Sequence, residues 1–261
     1  MSKQFLLNYF SELVLGNIEG RTYVNKFGTA PDGVQLTATD IWSRADATPT
    51  QQIWLAPTAA RIHALVSSSA ADTGFNITVY GLTSWSTAET SEVVALTGQT
   101  PVNTTNSYVI IHRMEMTPTA AKVINAGTIT ATAAVDSTIT AVILPGDGQT
   151  EMAIYGVPST QKALMHRWTA NIDKTVGATL ISADFKILMN PNPNVQTTGF
   201  LRKDDISVTS SGTTAYERIY KAPKVFDGPC IIKIQATSTT ADTEGESGFD
   251  LELVNLTKVR E

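Results

Sequence analysis

Asn76-Ile77-Thr78-Val79-Tyr80 and, far downstream, Phe249-Asp250-Leu251-Glu252-Leu253 change character at every step, apolar against polar. A period of two sends successive side chains to opposite faces of a strand. One apolar and one polar face mark a sheet with one wet side, the usual state of an antiparallel sheet. Similar signals recur at 62–66, 76–82, 92–96, 108–114, 138–144, 151–155, 163–170, 179–188, 206–209, 230–236 and 249–254. Most are short, rich in Val, Ile, Thr and aromatic residues, and bounded by Gly, Pro, Asn or Ser.

Helical signals are few. The first 15 residues form one candidate. The second is 117–125, where Thr117 is a cap, Pro118 a first helical residue and Gly127 a stop; a short helical turn and a loop fit that stretch equally. Many strands and little helix predict an all-β protein, an antiparallel β-sandwich of jelly-roll type with an N-terminal arm or short helix. Pro145-Gly146-Asp147-Gly148 reads as a hairpin turn. Asn190-Pro191-Asn192-Pro193-Asn194 is a firm break, because proline cannot donate to a ladder. With no Gly/Ser linker, the expected organisation is an arm over 1–19 and a single sandwich over 20–261, its weakest seam near 190–195.

The chain contains a possible internal echo. Ile53-Trp54-Leu55-Ala56-Pro57 resembles Ile154-Tyr155-Gly156-Val157-Pro158 and Ile219-Tyr220-Lys221-Ala222-Pro223. Ala71-Asp72-Thr73-Gly74-Phe75 parallels Ala241-Asp242-Thr243 followed, after an insertion, by Gly248-Phe249. A repeated corner accounts for these: a strand ends in a buried aromatic, proline breaks the ladder, and the chain crosses into a new strand. Duplication and recurrence of one sandwich corner are both compatible with the pattern. The unequal spacing excludes a solenoid.

At 261 residues the chain can bury a large core without staples. It is 42% hydrophobic and only 16% charged, with Thr, Ser, Ala and Asn filling the gap. A polar but weakly charged surface is cheaper to desolvate than a Lys/Glu surface, which suits a protein covered by contacts. The net charge is −5 and no basic run occurs, so nucleic acid is not an expected partner. The single cysteine, Cys230, allows no intrachain disulfide and fits assembly in a reducing host cytoplasm. In the apolar N-terminus, Asn8, Ser11 and Glu12 interrupt the run and no small-residue cleavage site follows, so the reading is a docked arm or helix, not a signal peptide. No stretch approaches 18 apolar residues, and no membrane is expected.

The residues suggest no chemistry. His63, His112 and His166 lack metal-ligand spacing and read as strand histidines with local hydrogen bonds. Cys230 opens an apolar run and reads as core. Asp204-Asp205 and Asp242-Thr243-Glu244-Gly245-Glu246 have no calcium-loop pattern and read as solvated turns. No enzyme, cofactor or metal is expected. Trp54 and Trp168 read as core. Trp42 and Trp85 lie in loop-like sequence, where tryptophan either anchors a contact, stacks on a sugar or packs over the end of the sandwich.

A set of motifs resembles structural proteins of tailed phages, many of them marine. They are Gly20-Arg21-Thr22-Tyr23-Val24-Asn25-Lys26-Phe27, Ile41-Trp42, Val66-Ser67-Ser68-Ser69-Ala70-Ala71-Asp72-Thr73, and Ile77-Thr78-Val79-Tyr80-Gly81-Leu82. The likeness continues through Glu92-Val93-Val94-Ala95-Leu96-Thr97-Gly98, Pro101-Val102-Asn103-Thr104, Asn125-Ala126-Gly127, Gly148-Gln149-Thr150 and Ile154-Tyr155-Gly156-Val157-Pro158. Ser159-Thr160-Gln161-Lys162 departs from the glycine and lysine that other members often carry there. The resemblance implies a β-sandwich virion component without catalytic residues, set on the capsid as a cement (decoration) protein or in the tail. On that reading the partners are the major capsid protein and two further copies in a homotrimer. The contact residues are Phe5, Leu6, Tyr9 and Phe10 of the arm, with Trp42 and Trp85. A tail or baseplate adaptor or fibre component, and a carbohydrate-binding module that recognises a receptor, are the alternatives.

Overall fold

Two hydrophobic cores, where the sequence led us to expect one, organise the strands. The computed structural model describes residues 3–44, 53–119, 123–173, 180–194, 199–210, 214–241 and 243–258, with side chains from Tyr9 onward. Helix α1 (Lys3–Val14) precedes β1 (Arg21–Thr29) and β2 (Thr39–Asp40). Next come β3 (His63–Ser67), β4 (Thr73–Leu82), β5 (Thr90–Thr97), β6 (Val102–Asn103), β7 (Ile110–Thr117), β8 (Ile129–Ala133) and β9 (Ile139–Ile143). The chain continues through β10 (Ile154–Val157), β11 (Gln161–Asp173), β12 (Ile181–Asn190), β13 (Leu201–Ser210), β14 (Thr214–Asp227), β15 (Cys230–Ser238) and β16 (Glu244–Asn255). All pairings between these strands are antiparallel. The protein is an all-β antiparallel sandwich structure.

Sheets β6-β3-β8-β9 and β5-β4-β7 enclose one core, which includes Leu65, Ile77, Val79, Ile110 and Ile129. Sheets β1-β16-β11-β14 and β10-β15-β12-β13, the latter with β2 on β15, enclose the other, which includes Trp168, Phe185, Phe226 and Phe249. The first sandwich is inserted in the chain between β2 and β10 of the second, so the single unit expected over 20–261 is divided. The break at 190–195 is no boundary between cores, because it joins β12 to β13, neighbours in one sheet. The boundary falls between adjacent residues instead. Ile41 packs in the framing core and Trp42 in the inserted one; on the way back Met152 and Ile154 belong to the inserted core, Ala153 and Tyr155 to the framing core. Strand β10 therefore feeds both cores by alternation. β15 does the same through Ile231 and Ile232, which is why it reads as a nearly continuous apolar run.

The two sandwiches share one strand arrangement. In the inserted unit β4 lies between β5 and β7, β3 between β6 and β8, and β9 beyond β8. In the framing unit β16 lies between β1 and β11, β15 beside β2 and β12, and β13 beyond β12. The order β3 to β9 thus corresponds to β15, β16, β1, β2, β11, β12, β13: the same layout with the chain opened at another loop, plus β10 and β14. The correspondence extends to a defect. Register slips between Ile111 and Arg113 opposite β4, leaving His112 as an extra residue. It slips between Met165 and Arg167 opposite β16, leaving His166 as the extra residue. Each is a β-bulge, and each bulge histidine is followed by arginine.

This layout sorts the sequence echo. Ala71-Asp72-Thr73 leads into β4 and Ala241-Asp242-Thr243 into β16, at corresponding crossings between sheets; Asp242 lies outside the described residues. Tyr80 faces Arg113 across its bulge as Asp250 faces Arg167. The spacing from Thr73 to Tyr80 equals that from Thr243 to Asp250, so no insertion separates the copies. The three proline-ended segments are not one corner. Residues 53–57 are extended without pairing, 154–157 form β10, and 219–223 lie inside β14. Pro223 is tolerated there because β14 is an edge strand whose register skips from Lys224 to Ile219 opposite β11.

Other expectations shift. Gly146 and Gly148 do take positive φ in a turn, but β9 and β10 are not paired, so 145–148 links the sandwiches instead of closing a hairpin. Around 117–125 the described residues are not helical, and Ala120, Ala121 and Lys122 lie outside them. β1, β8 and β14 carried no strand signal. Lys26 breaks the alternation of β1, Thr and Ala give β8 little contrast, and β14 is an exposed edge with Glu217, Arg218, Lys221 and Lys224.

Candidate functional site

The N-terminal arm docks on its own chain. Tyr9 donates its hydroxyl to Glu252 Oε1 at 2.6 Å, Arg21 Nη1 donates to the Tyr9 hydroxyl at 3.1 Å, and Arg21 also pairs with Glu252 directly. His166 Nε2 sits 2.9 Å from Glu252 Oε2, and the Phe10 ring meets the His166 ring edge-on at 5.3 Å. Leu13 is buried. Burial pushes the Glu252 carboxyl up, but hydrogen bonds from His166, Tyr9 and Arg21 outweigh it and hold the pKa at about 2. The bulge at His166 aims the imidazole at this carboxylate.

Of the expected contact residues, Tyr9 is engaged in this network, and Phe10 is half covered by it, 37% exposed. The side chains of Phe5 and Leu6 lie outside those described. Trp42 and Trp85 are 1% and 7% exposed and belong to the inserted core, so neither faces outward as an anchor. The Trp85 ring lies where a Cβ on Gly156 would meet it at 3.2 Å, and the Trp85 carbonyl accepts the Ser159 N–H at 2.8 Å. Both tryptophans occupy the place where the two sandwiches abut, which is why loop-like sequence carries such large side chains. Phe10, Val14 and Ile219 instead line an apolar depression of about 400 Å³ between α1 and the outer face of the β1-β16-β11-β14 sheet. Val14 is 62% and Ile219 69% exposed.

A second, more polar cavity of about 350 Å³ runs along β1 where the sandwiches meet. Lys26 lies here, 5% exposed, its Nζ donating to the His112 carbonyl. Burial, then the nearby Arg113 cation, push the Lys26 pKa down to about 7. His112 Nε2 lies 2.5 Å from Glu89 Oε2 and stacks on Tyr155, whose hydroxyl donates to the same carboxylate at 3.3 Å. Burial pushes the His112 pKa down against the pull of the Glu89 carboxylate. Among the described residues its Nδ1 is buried without a hydrogen-bond partner. Arg113 donates to Glu115 at 2.8 Å and lies 5.4 Å over the Tyr80 ring.

Lys26, Glu89 and Arg113 were not singled out from the sequence. The available signal was the pair of His-Arg dipeptides, His112-Arg113 and His166-Arg167. Of the remaining histidines and acids, His63 is buried in β3 with its pKa pushed down to about 4 by burial, and its Nδ1 lies 2.9 Å from the Arg61 carbonyl. Cys230 is buried in the framing core, which drives its thiol pKa up to about 12. Asp204 pairs with Arg218 and Tyr220 at 2.5 and 2.6 Å. Among the described residues no group of three or more His, Cys, Asp or Glu is placed to hold a metal, and no helix is long and apolar enough to cross a membrane.

No protein-family model matches the chain, and no curated protein is similar to it. Among solved structures, that of the infectious bursal disease virus Gt strain is 9% identical with a TM-score of 0.23, the alignment covering 94% of this chain and 77% of that one. The VP2 subviral particle of the same virus gives 8% identity and a TM-score of 0.22 over 95% of this chain and 77% of that one. Its T=1 particles give 10% and 0.23 over 95% and 75%. Alignments at this level do not establish a shared fold.

Proposed function

We propose that this chain is a structural protein of a tailed-phage particle, a cement or decoration protein that stabilises the head shell by contacts with the major capsid protein and with copies of itself in a trimer. The observation that carries this reading is the outward apolar depression formed by Phe10, Val14 and Ile219 beside the docked arm. Exposed apolar residues rimmed by polar ones mark contact sites, and Tyr23, His166, Arg167 and Asp250 supply the rim. The weakly charged, Thr-rich surface and the motif resemblance to phage structural proteins support the same reading. The mechanism is mass action: a partner that binds only the assembled shell stabilises it according to its affinity.

Quantitative mass spectrometry of purified particles tests the proposal. A shell component should be present on the order of hundreds of copies, as closed shell symmetry requires. A few copies per particle would move the protein to the tail, and none would remove it from the virion. Deleting residues 2–15 should abolish binding to expanded shells; full retention would rule out the arm as a contact element.

A further inference from the structure

The cavity along β1 has unmet polar capacity of two opposite kinds. The Lys26 ammonium has three N–H donors but one described acceptor, the His112 carbonyl, and it shares the site with a second cation, Arg113. Two neighbouring cations favour an anionic group that both can reach. Among the described residues Arg113 is held by the half-exposed Glu115 and by the Tyr80 ring, both of which it can exchange for a ligand. Beside them the Glu89 carboxylate, 40% exposed, lines the same cavity. A ligand that satisfies this cavity therefore brings a carboxylate for Lys26 and Arg113 and a hydroxyl for Glu89. Glu89 offers an acceptor to that hydroxyl and disfavours a bare anion. The Tyr80 and Tyr23 side chains also line the space. A volume of about 350 Å³ lies at the small end of ligand pockets, about 300–1,000 Å³, which suits one ring.

We propose that this cavity binds a small acidic sugar, a single uronic-acid-type ring whose carboxylate is held by Lys26 and Arg113 and whose hydroxyls are read by Glu89. The site stands apart from the apolar depression and does not depend on the shell-contact reading. It would give the protein a glycan-directed role in addition to its structural one.

Calorimetric titration of the full chain with D-glucuronate, D-glucose, acetate and inorganic phosphate tests it. Glucuronate should bind at least about tenfold more tightly than glucose, acetate or phosphate. Arg113→Gln, at a half-exposed position that leaves the fold intact, should weaken glucuronate about tenfold or more, as expected for losing a hydrogen bond to a charged group. Lys26→Met should do the same, and Lys224→Met, on β14, should not. Equal binding of glucose would overturn the carboxylate assignment. Phosphate or acetate binding as tightly as glucuronate would reduce the site to an anion site and overturn the sugar assignment. Absence of glucuronate binding in the wild-type chain, or binding untouched by Arg113→Gln, would overturn the proposal as a whole.

Discussion

Lys233 Nζ and Asp40 Oδ2 stand 2.6 Å apart with both side chains almost fully buried, Lys233 on β15 and Asp40 on β2. The same carboxylate accepts the backbone N–H of Trp54 at 2.9 Å and the Gln235 side-chain amide at 2.9 Å. Trp54 belongs to the inserted core, so one acid ties the two sandwiches together. Removing one partner of a buried pair strands the other charge. Asp40→Ala should therefore cost about 3–5 kcal/mol in urea denaturation. Asp40→Leu combined with Lys233→Met should recover part of that loss, and only part, because the Trp54 N–H stays unpaired. A single variant within about 0.5 kcal/mol of wild type, the range of an ordinary surface change, would remove the pair from the account.

Glu252 makes the arm's attachment sensitive to acid. Its folded pKa, about 2, lies below the ordinary value of 4.5. The unfolded chain then binds more protons between those values, so stability rises with pH across that window. The contribution is complete above about 4.5 and lost as pH drops through about 2. Glu252→Gln should flatten the acid limb of the stability curve and raise hydrogen exchange in α1.

Lys26 gives a slope of the same sign in a higher pH window. Its folded pKa of about 7 lies below the ordinary 10.5. Between these values the unfolded chain binds the extra proton, so stability rises with pH from about 7 towards 10.5, and the cost of the buried charge is fully present below 7. Lys26→Met should remove this slope and raise the thermal midpoint at pH 6 relative to wild type. A midpoint at pH 6 that falls instead would mean that the bond to the His112 carbonyl outweighs desolvation.

Gly28 packs against backbone where the chain passes between the sandwiches, beside Ile41 and Ala153. A Cβ there would lie 2.6 Å from the Ala153 nitrogen and 2.7 Å from the Ile41 carbonyl oxygen, both backbone atoms. Gly28→Ala should cost about 1–3 kcal/mol or more, as overpacking does. Gly16 has no neighbour within 4 Å of an added Cβ, so Gly16→Ala, strained only by its φ of +75°, should cost less.

Trp42→Ala should destabilise the chain by about 3–5 kcal/mol, the cost of emptying a core site. Its effect on shell binding should track the loss of folded protein and vanish when folded fractions are matched.

The sequence by itself determined the all-β character and most strands, because a two-residue period is local and burial of one face writes it directly into the chain. Asn76–Tyr80 and Phe249–Leu253 carry it plainly, and Ala71-Asp72-Thr73 with Ala241-Asp242-Thr243 marked the corresponding crossings. Tertiary structure alone decided that there are two cores, that Trp42 and Trp85 lie inward, and that Lys26, Glu89, His112 and Arg113 converge. The switch between cores takes place between Ile41 and Trp42 and within β10, where both neighbours are apolar, so hydrophobicity cannot say which core each residue serves. Lys26, Glu89 and the His112-Arg113 pair come from three separated segments, and no local pattern brings a lysine of β1 to a bulge in β7. Only the packing of one sandwich against the edge of the other does so.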